Sequence, residues 1–264
     1  MAHIEGWRSL ASRLIAKGQA IFDNATVLEG KLGTKHPKVV ALTLLARTVG
    51  NFEAALLLLD DGRAVEARTL VRCCFENFFW AAALAKKGDE FVRHMELDDA
   101  ASRKRRAKGL LEWAGQQDHD LDFAKNLEAF VEDLDKKNPK APLINQKTAA
   151  EHGTIKPAYI FYGELSNDAA HPSATSLSRH VTWDDESNDA QFTVHARPMP
   201  VEGEVEQTYE FACNAMLGVC VAVNQALGGT ESGERLWTLG DAFRALSDDS
   251  KVAQDAVVKG HGDA

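Results

Sequence analysis

Side chains that can move protons or bind anions are concentrated between Tyr162 and His171. This stretch holds a phenol at Tyr162, a hydroxyl at Ser166, an amide at Asn167 and an imidazole at His171. On a helix predicted over 157–170, Tyr162 and Ser166 share one side and Asn167 and His171 form the next ridge. The negative end of the helix dipole raises the proton affinity of an imidazole in the last turn. His171 is therefore a candidate catalytic acid or base, and the other three are candidate binding residues.

A simpler interpretation of the same residues is also open. His171 and Ser166 can act as a C-terminal cap that binds the last carbonyl groups of the helix. The concentration of proton-handling groups within so few residues favours the functional interpretation.

A second polar group lies on a helix predicted over 63–87. Arg68, Arg72 and Glu76 follow one another at four-residue steps and so share one face. Aromatic and small apolar residues surround Arg72 and Glu76 in the sequence LVRCCFENFFW, and charges among such residues are costly unless they are paired. The sequence predicts either a structural ion pair or a functional site, with Arg72 and Glu76 catalytic and Arg68 binding.

These two stretches predict one polar centre. The Tyr162–His171 run is not sufficient alone, because it contains no cation that could hold an anionic substrate. The hypothesis therefore requires Arg72 and Glu76 to contact the later helix.

The pattern of apolar residues predicts a mainly α protein, a bundle of about seven to eight helices. Apolar residues recur at three- and four-residue steps, with breaks at glycine and proline. The predicted helices cover about 4–28, 37–59, 63–87, 90–117, 120–137, 157–170, 204–227 and 231–247, and the connecting region over 139–157 contains one short run, 146–152, that a further helix can form. Two alternating runs predict a small β-hairpin over about 179–197, inserted before the long C-terminal helix and packed on the bundle. We expect a single helical domain over 1–247 and a flexible tail over 248–264.

Composition limits the classes of function. The chain of 264 residues has a net charge of -9, which argues against a general nucleic-acid coat, although the basic run Arg103–Lys108 is a candidate contact for RNA or a protein partner. Four cysteines without metal-type spacing are typical of a reducing compartment. We found no signal sequence and no apolar run of about 18 residues, so we expect a cytoplasmic protein without a membrane partner.

No cofactor and no metal site is predicted. HExxH, P-loop and GxGxxG patterns are absent from the sequence. Glu90 and His94 share a helix face, but no second such pair completes a di-iron set.

The two polar stretches together resemble an uncharacterised family of bacterial helical proteins. The features in common are Arg72-x-x-x-Glu76 and the later Tyr-x-x-Leu-Ser-x-x-x-x-His-Pro-Ser run from Tyr162 to Ser173. This resemblance covers about residues 35–225. The family is a domain of unknown function, so the resemblance implies a helical fold and these residues but no reaction.

More distantly, the Ser166–His171 run is similar to the motif of HEPN ribonucleases. Those proteins place an Arg, often followed by Asn, a few residues before a His, and two motifs meet in a dimer to cleave RNA without metal. Here Asn167 and His171 match, and Ser166 stands where the family has Arg. This resemblance implies RNA as substrate, a homodimer, His171 as general acid or base, and Arg72 or Arg68 as the cation on phosphate.

Two functions therefore remain open from the sequence. One is a divergent HEPN-like, metal-independent ribonuclease acting in stress or phage defence. The other is a non-enzymatic helical protein that binds a ligand or a partner, in which the Arg, Glu and His side chains form a structural network.

Overall fold

The fold is mainly α, as predicted, with one small antiparallel hairpin. We analysed a computed structural model that describes residues 2–27, 33–115, 121–138, 142–167, 172–184, 191–199, 201–229 and 235–260, with side chains up to residue 249. The helices are α1 (Ala2–Asp23), α2 (Pro37–Asp60), α3 (Ala64–Lys87), α4 (Asp89–Gly115), α5 (Leu121–Lys137), α6 (Gln146–His152), α7 (Tyr159–Leu165), α8 (Ala174–Ser178), α9 (Glu204–Ala226) and α10 (Leu236–Gly260). The strands are β1 (Val181–Asp184) and β2 (Gln191–Val194).

Helix α3 lies at the centre of the bundle. It packs against α2 on one side and α9 on another, and α6 and α7 cover further parts of its surface. Phe75 and Phe79 are fully buried. Burying a side chain of this size contributes about 1.5–3 kcal/mol, so α3 supplies much of the core that positions the polar residues.

Local signals set several helix boundaries. His36 caps α2 by accepting a hydrogen bond from the Lys38 amide, and Pro37 occupies the first turn. Asn145 caps α6 in the same way, by accepting from the Thr148 amide at 2.8 Å. The bounds of α2, α3, α5 and α6 agree closely with those predicted, and for α2 and α6 these caps explain where the helix begins.

The helix predicted over 157–170 is shorter in the structure. A 3-10 turn, Lys156–Ala158, leads into α7, which ends at Leu165 and widens into a π-helical turn at Ser166 and Asn167. The Ser166 hydroxyl donates to the Tyr162 carbonyl at 2.8 Å, a contact that commonly bends helices. A further short helix, α8, follows and is capped by Ser173. Residues 168–171 lie outside the described residues.

The hairpin does not cover the bundle as predicted. Trp183 and Phe192 are cross-strand neighbours, and their side chains are 66% and 61% exposed. The hairpin is joined to the chain around it by backbone hydrogen bonds from His195 to His180 and from Met199 to Arg179. These hydrogen bonds lie at the base of the hairpin, and the apolar face formed by Trp183 and Phe192 points to solvent.

The last helix extends further than predicted. The sequence predicted its end near Ser247, but α10 runs to Gly260. The boundary expected for the flexible tail, at 248, thus falls inside a helix. Short-range patterns did not reveal this, because the sequence beyond 248 is rich in small and polar residues.

Helix α2 has the length and composition of a membrane span, which the search for uninterrupted apolar runs had missed. It is the single such helix in the described part of the chain. In the structure its Ala41, Leu45 and Phe52 are buried in contact with α3 and α9. A central helix of a bundle shows the same composition, so length and hydropathy do not separate the two interpretations.

Candidate functional site

Arg72 connects α3 to α7 through four side chains that we call the Arg72 network: Arg72, Glu76, Tyr162 and Ser166. Arg72 Nε donates to Ser166 Oγ at 3.1 Å, and a terminal nitrogen donates to the Tyr162 hydroxyl at 3.1 Å. The same nitrogen lies 3.0 Å from Glu76 Oε1. The guanidinium carbon lies 5.2 Å from the centre of the Tyr162 ring, within the range of a cation–π contact.

Each of the two hydroxyl groups in the network accepts one hydrogen bond and donates another. Tyr162 accepts from Arg72 and donates to Glu76 Oε1 at 3.3 Å. Ser166 accepts from Arg72 and donates to the Tyr162 carbonyl. The Arg72 and Glu76 side chains are 21% and 25% exposed, so the network lies at the edge of the core. Its donors and acceptors pair with one another, which is how a partly buried charge pair avoids a large desolvation cost.

The charge state of Arg72 follows from these contacts. Burial acts to lower the pKa of the guanidinium, but the Tyr162 hydrogen bond and the Glu76 carboxylate outweigh it and the pKa is raised. Arg72 therefore stays protonated, with its charge balanced by Glu76 inside the network.

Arg68 lies on the same helix but has other partners. It donates to Gln207 Oε1 at 2.9 Å and to Glu164 Oε1 at 3.2 Å, and its Nε is 3.9 Å from Glu204 Oε1. The predicted row of three charges on one face therefore divides. Arg72 pairs with Glu76, whereas Arg68 contacts Glu164 on α7 and Gln207 and Glu204 on α9.

Glu204 joins two buried arginines in what we call the Glu204 cluster: Arg68, Arg179 and Glu204. Arg179 donates to Glu204 Oε2 at 2.6 Å, and all three side chains are less than a tenth exposed. Gly203 places Glu204 here, since its φ of +76° lets the chain turn sharply into α9. One buried carboxylate thus shares the charge of two guanidinium groups.

A cleft of about 570 Å³ opens beside the Glu204 cluster, between α3, α7, α8 and the start of α9. Its charged lining consists of two arginines and three glutamates: Arg68, Arg179, Glu164, Glu202 and Glu204. The arginines and Glu204 are buried, whereas Glu164 and Glu202 face solvent. Asn167, Thr175, Ser178 and Gln207 add neutral hydrogen-bonding groups. The charge that this cleft presents to solvent is therefore negative.

The structure brings some of the predicted site residues together and separates others. The structure brings Arg72, Glu76, Tyr162 and Ser166 into one network, and Arg68 lies in the neighbouring cluster. Asn167 is exposed and lines the cleft, and its carbonyl accepts from Ser173 Oγ at 2.8 Å. His171 lies outside the described residues. The catalytic and binding roles assigned to these residues stay predictions.

Comparison of the chain with known protein families gives one match. The model of the family of unknown function DUF5677 matches residues 38–190, more than half of the chain. The chain belongs to DUF5677. No curated protein and no solved structure matches it.

The DUF5677 match covers the whole Arg72 network but only part of the cleft. Arg68, Glu164 and Arg179 lie within residues 38–190, whereas Glu204 and Gln207 lie beyond them on α9. The carboxylate that both buried arginines share, Glu204, is thus outside the matched segment.

Sequence reasoning missed Glu164, Arg179, Glu204 and Gln207. Glu164 was inside the motif that drew attention, and Glu204 was seen only as the start of a helix. A glutamate directly before an apolar helix is an ordinary feature of a first turn, so no local signal marked it. Arg179 was assigned to the hairpin, where an exposed arginine needs no explanation.

The described residues of this DUF5677 protein show no group of three or more His, Cys, Asp or Glu side chains placed to hold a metal ion. His94 meets His152 with ring centres 5.6 Å apart, and Phe91 packs against both rings. Burial lowers the pKa of His152, helped by the nearby charge of Lys87. This pair is a packing contact between α4 and α6 rather than part of the cleft.

Proposed function

We propose that this DUF5677 protein binds a small polar ligand that carries a positive charge, and that the cleft beside the Glu204 cluster is the binding site. The observation that supports this most strongly is the distribution of charge in the cleft. Its two arginines are buried in ion pairs with Glu204 and with the half-exposed Glu164, and Glu202 adds a third carboxylate that faces solvent, so the lining has one more negative than positive charge. A cation entering the cleft gains Coulomb energy there, and a phosphate meets repulsion.

The Arg72 network lies beside the cleft and in this proposal holds one of its walls in place. It joins α3 to α7, and α7 carries Glu164 and leads to Asn167 at the cleft. Preformed walls of this kind are typical of small-molecule sites, because the ligand then meets groups that are already oriented.

Binding of a model cation tests the proposal. We expect spermidine and arginine amide to bind in isothermal titration calorimetry, with affinity falling as salt is added. Inorganic phosphate should not bind at this site. Glu164→Gln together with Glu202→Gln should abolish amine binding, because both solvent-facing carboxylates are then neutral.

Glu128→Gln is the matched control. Glu128 is exposed on α5 and does not line the cleft. The Glu128→Gln variant should therefore bind amines as the unaltered protein does. Amine binding that survives the change at Glu164 and Glu202 would show that the cleft is not the site.

A second candidate is a HEPN-like, metal-independent ribonuclease acting in stress or phage defence. One observation favours it: Asn167 and Ser173, which flank the segment holding His171, are hydrogen-bonded to each other beside the cleft. In this proposal His171 serves as general acid or base. The guanidinium of Arg72 or Arg68 gives up its ion pair with a glutamate and binds the phosphate of the RNA instead.

RNA cleavage by the intact protein and by His171→Ala separates the two candidates. The ribonuclease proposal predicts metal-independent cleavage that His171→Ala abolishes at unchanged thermal stability. Equal cleavage by both proteins, or none by either, would remove it and leave the binding proposal in place.

A further inference from the structure

Another cleft lies between α1 and α10, two helices that do not line the cleft beside the Glu204 cluster; we call it the α1–α10 cleft. Its volume is about 490 Å³. Three cations line it, Arg13 and Lys17 on α1 and Arg235 directly before α10, and Thr238 adds a hydroxyl. Two alanines and a leucine complete the described lining, which contains no carboxylate. The charge of this lining is therefore wholly positive.

The spacing of residues on α1 gathers two of these charges on one face. Arg13 and Lys17 are four positions apart, and Ala16 and Ala20 lie on the same face, where their small side chains leave room between the cations. Lys17 is partly buried. Like charges at this spacing destabilise a helix. An anion bound between them would replace this repulsion with attraction.

The cations of the α1–α10 cleft differ from others on the same two helices. Arg8 on α1 lies 2.6 and 2.8 Å from two carboxylates, and Arg244 on α10 pairs with a neighbouring aspartate. Within the described residues, Arg13, Lys17 and Arg235 make no ion pair and no side-chain hydrogen bond. Three charges that the protein does not neutralise thus converge on one concave surface.

We propose that the α1–α10 cleft binds a small phosphorylated molecule that carries at least two negative charges. The guanidinium groups of Arg13 and Arg235 match phosphate oxygens through paired hydrogen bonds, Lys17 supplies a compact charge, and the Thr238 hydroxyl can donate a further hydrogen bond. Three cations call for more negative charge than a single carboxylate carries. This site is separate from the proposed amine site, since it has the opposite charge and lies on other helices.

The size and setting of the cleft favour a small molecule over RNA. A volume of about 490 Å³ falls within the usual range of small-molecule sites. A nucleic acid needs cations along the length of its backbone, whereas these three lie in one cleft of a chain whose net charge is -9. The acidic remainder of the chain would repel a long polyanion.

Isothermal titration calorimetry with pyrophosphate tests the proposal. We expect pyrophosphate to bind, with affinity falling as salt is added, and inorganic phosphate to bind much more weakly because it reaches fewer of the cations. Arg13→Gln together with Arg235→Gln should weaken pyrophosphate binding at least tenfold. Arg93→Gln together with Arg106→Gln is the matched control, since it removes the same charge from exposed arginines of α4 that do not line the cleft.

Three further results would overturn the proposal. One is the absence of pyrophosphate binding, or equal binding by the two double variants. Another is binding of single-stranded RNA or phosphatidylglycerol vesicles that needs Arg13 and Arg235 while pyrophosphate does not bind, because the cleft would then serve a polymer or a membrane. The third is loss of pyrophosphate binding on changing Glu164 and Glu202 to glutamine, since the two sites should act independently.

Discussion

At the scale of single residues, the decisive side chain is Arg72. It has four contacts with three neighbours: a carboxylate at Glu76, a hydroxyl and a ring at Tyr162, and a hydroxyl at Ser166. The charge of its guanidinium is balanced inside the protein, and the binding proposal therefore gives the network a structural role, in which it holds α3 and α7 together.

A double-mutant cycle measures the energetic coupling between Arg72 and Tyr162. Tyr162→Phe removes the hydroxyl that bridges Arg72 and Glu76 and should lower the free energy of unfolding by about 1 kcal/mol. Arg72→Leu removes the centre of the network, and the two changes should couple by about 0.5–3 kcal/mol in urea denaturation.

Tyr159→Phe provides the control for this cycle. The Tyr159 hydroxyl makes no hydrogen bond within the described residues, so its loss should change stability little and should not couple to Arg72→Leu. Additive effects of Arg72→Leu and Tyr162→Phe would show that the network does not act as a unit.

The sequence could identify part of the site at this scale. Four-residue spacing predicted that Arg72 can reach Glu76, and the same spacing placed Tyr162 with Ser166. It could not reveal that Arg68 pairs with Glu204, because that contact joins residues 136 positions apart and depends on how α3 and α9 cross. The role of His171 stays a prediction, since it lies outside the described residues.

At the scale of elements, α3 organises the bundle, and close approach of other helices to it limits what the sequence tolerates. Gly153, directly after α6, lies so near α3 that a Cβ atom would stand 2.7 Å from the Ala82 Cβ and 3.0 Å from the Ala83 backbone nitrogen. Backbone cannot yield as a flexible side chain does, so this position requires glycine.

Gly153→Ala should therefore lower the free energy of unfolding by about 1–3 kcal/mol, the usual cost of overpacking. Gly50→Ala is the matched control, because Gly50 lies on α2 with open space around its Cα. Alanine there should stabilise the helix by about 0.5–1 kcal/mol. Equal effects of the two changes in thermal unfolding would contradict the close contact of α6 with α3.

The elements show where sequence patterns succeed and fail. Long helices with regular apolar steps, such as α3 and α5, were predicted within a few residues. The run after Pro157 was predicted as one helix but divides into a 3-10 turn, α7 and a π turn, because side-chain bonds such as that of Ser166 compete with the helical backbone. The hairpin was predicted, but its exposed apolar face was not, since alternation does not show which face is covered.

At the scale of the whole molecule, the overall charge agrees with the binding proposal. The chain has a net charge of -9, and the cleft lining contributes to it with three glutamates against two arginines, so the binding proposal expects a cation to be drawn to the cleft and RNA to be repelled.

The most direct test of the central claim follows the side-chain amides of Asn167 and Gln207, which line the cleft, by nuclear magnetic resonance. Gln19, which binds Asp23 on α1, is an internal reference. We predict that spermidine shifts the Asn167 and Gln207 signals while that of Gln19 stays in place, and that inorganic phosphate shifts none of them. Shifts of the cleft amides with phosphate and not with spermidine would contradict the account.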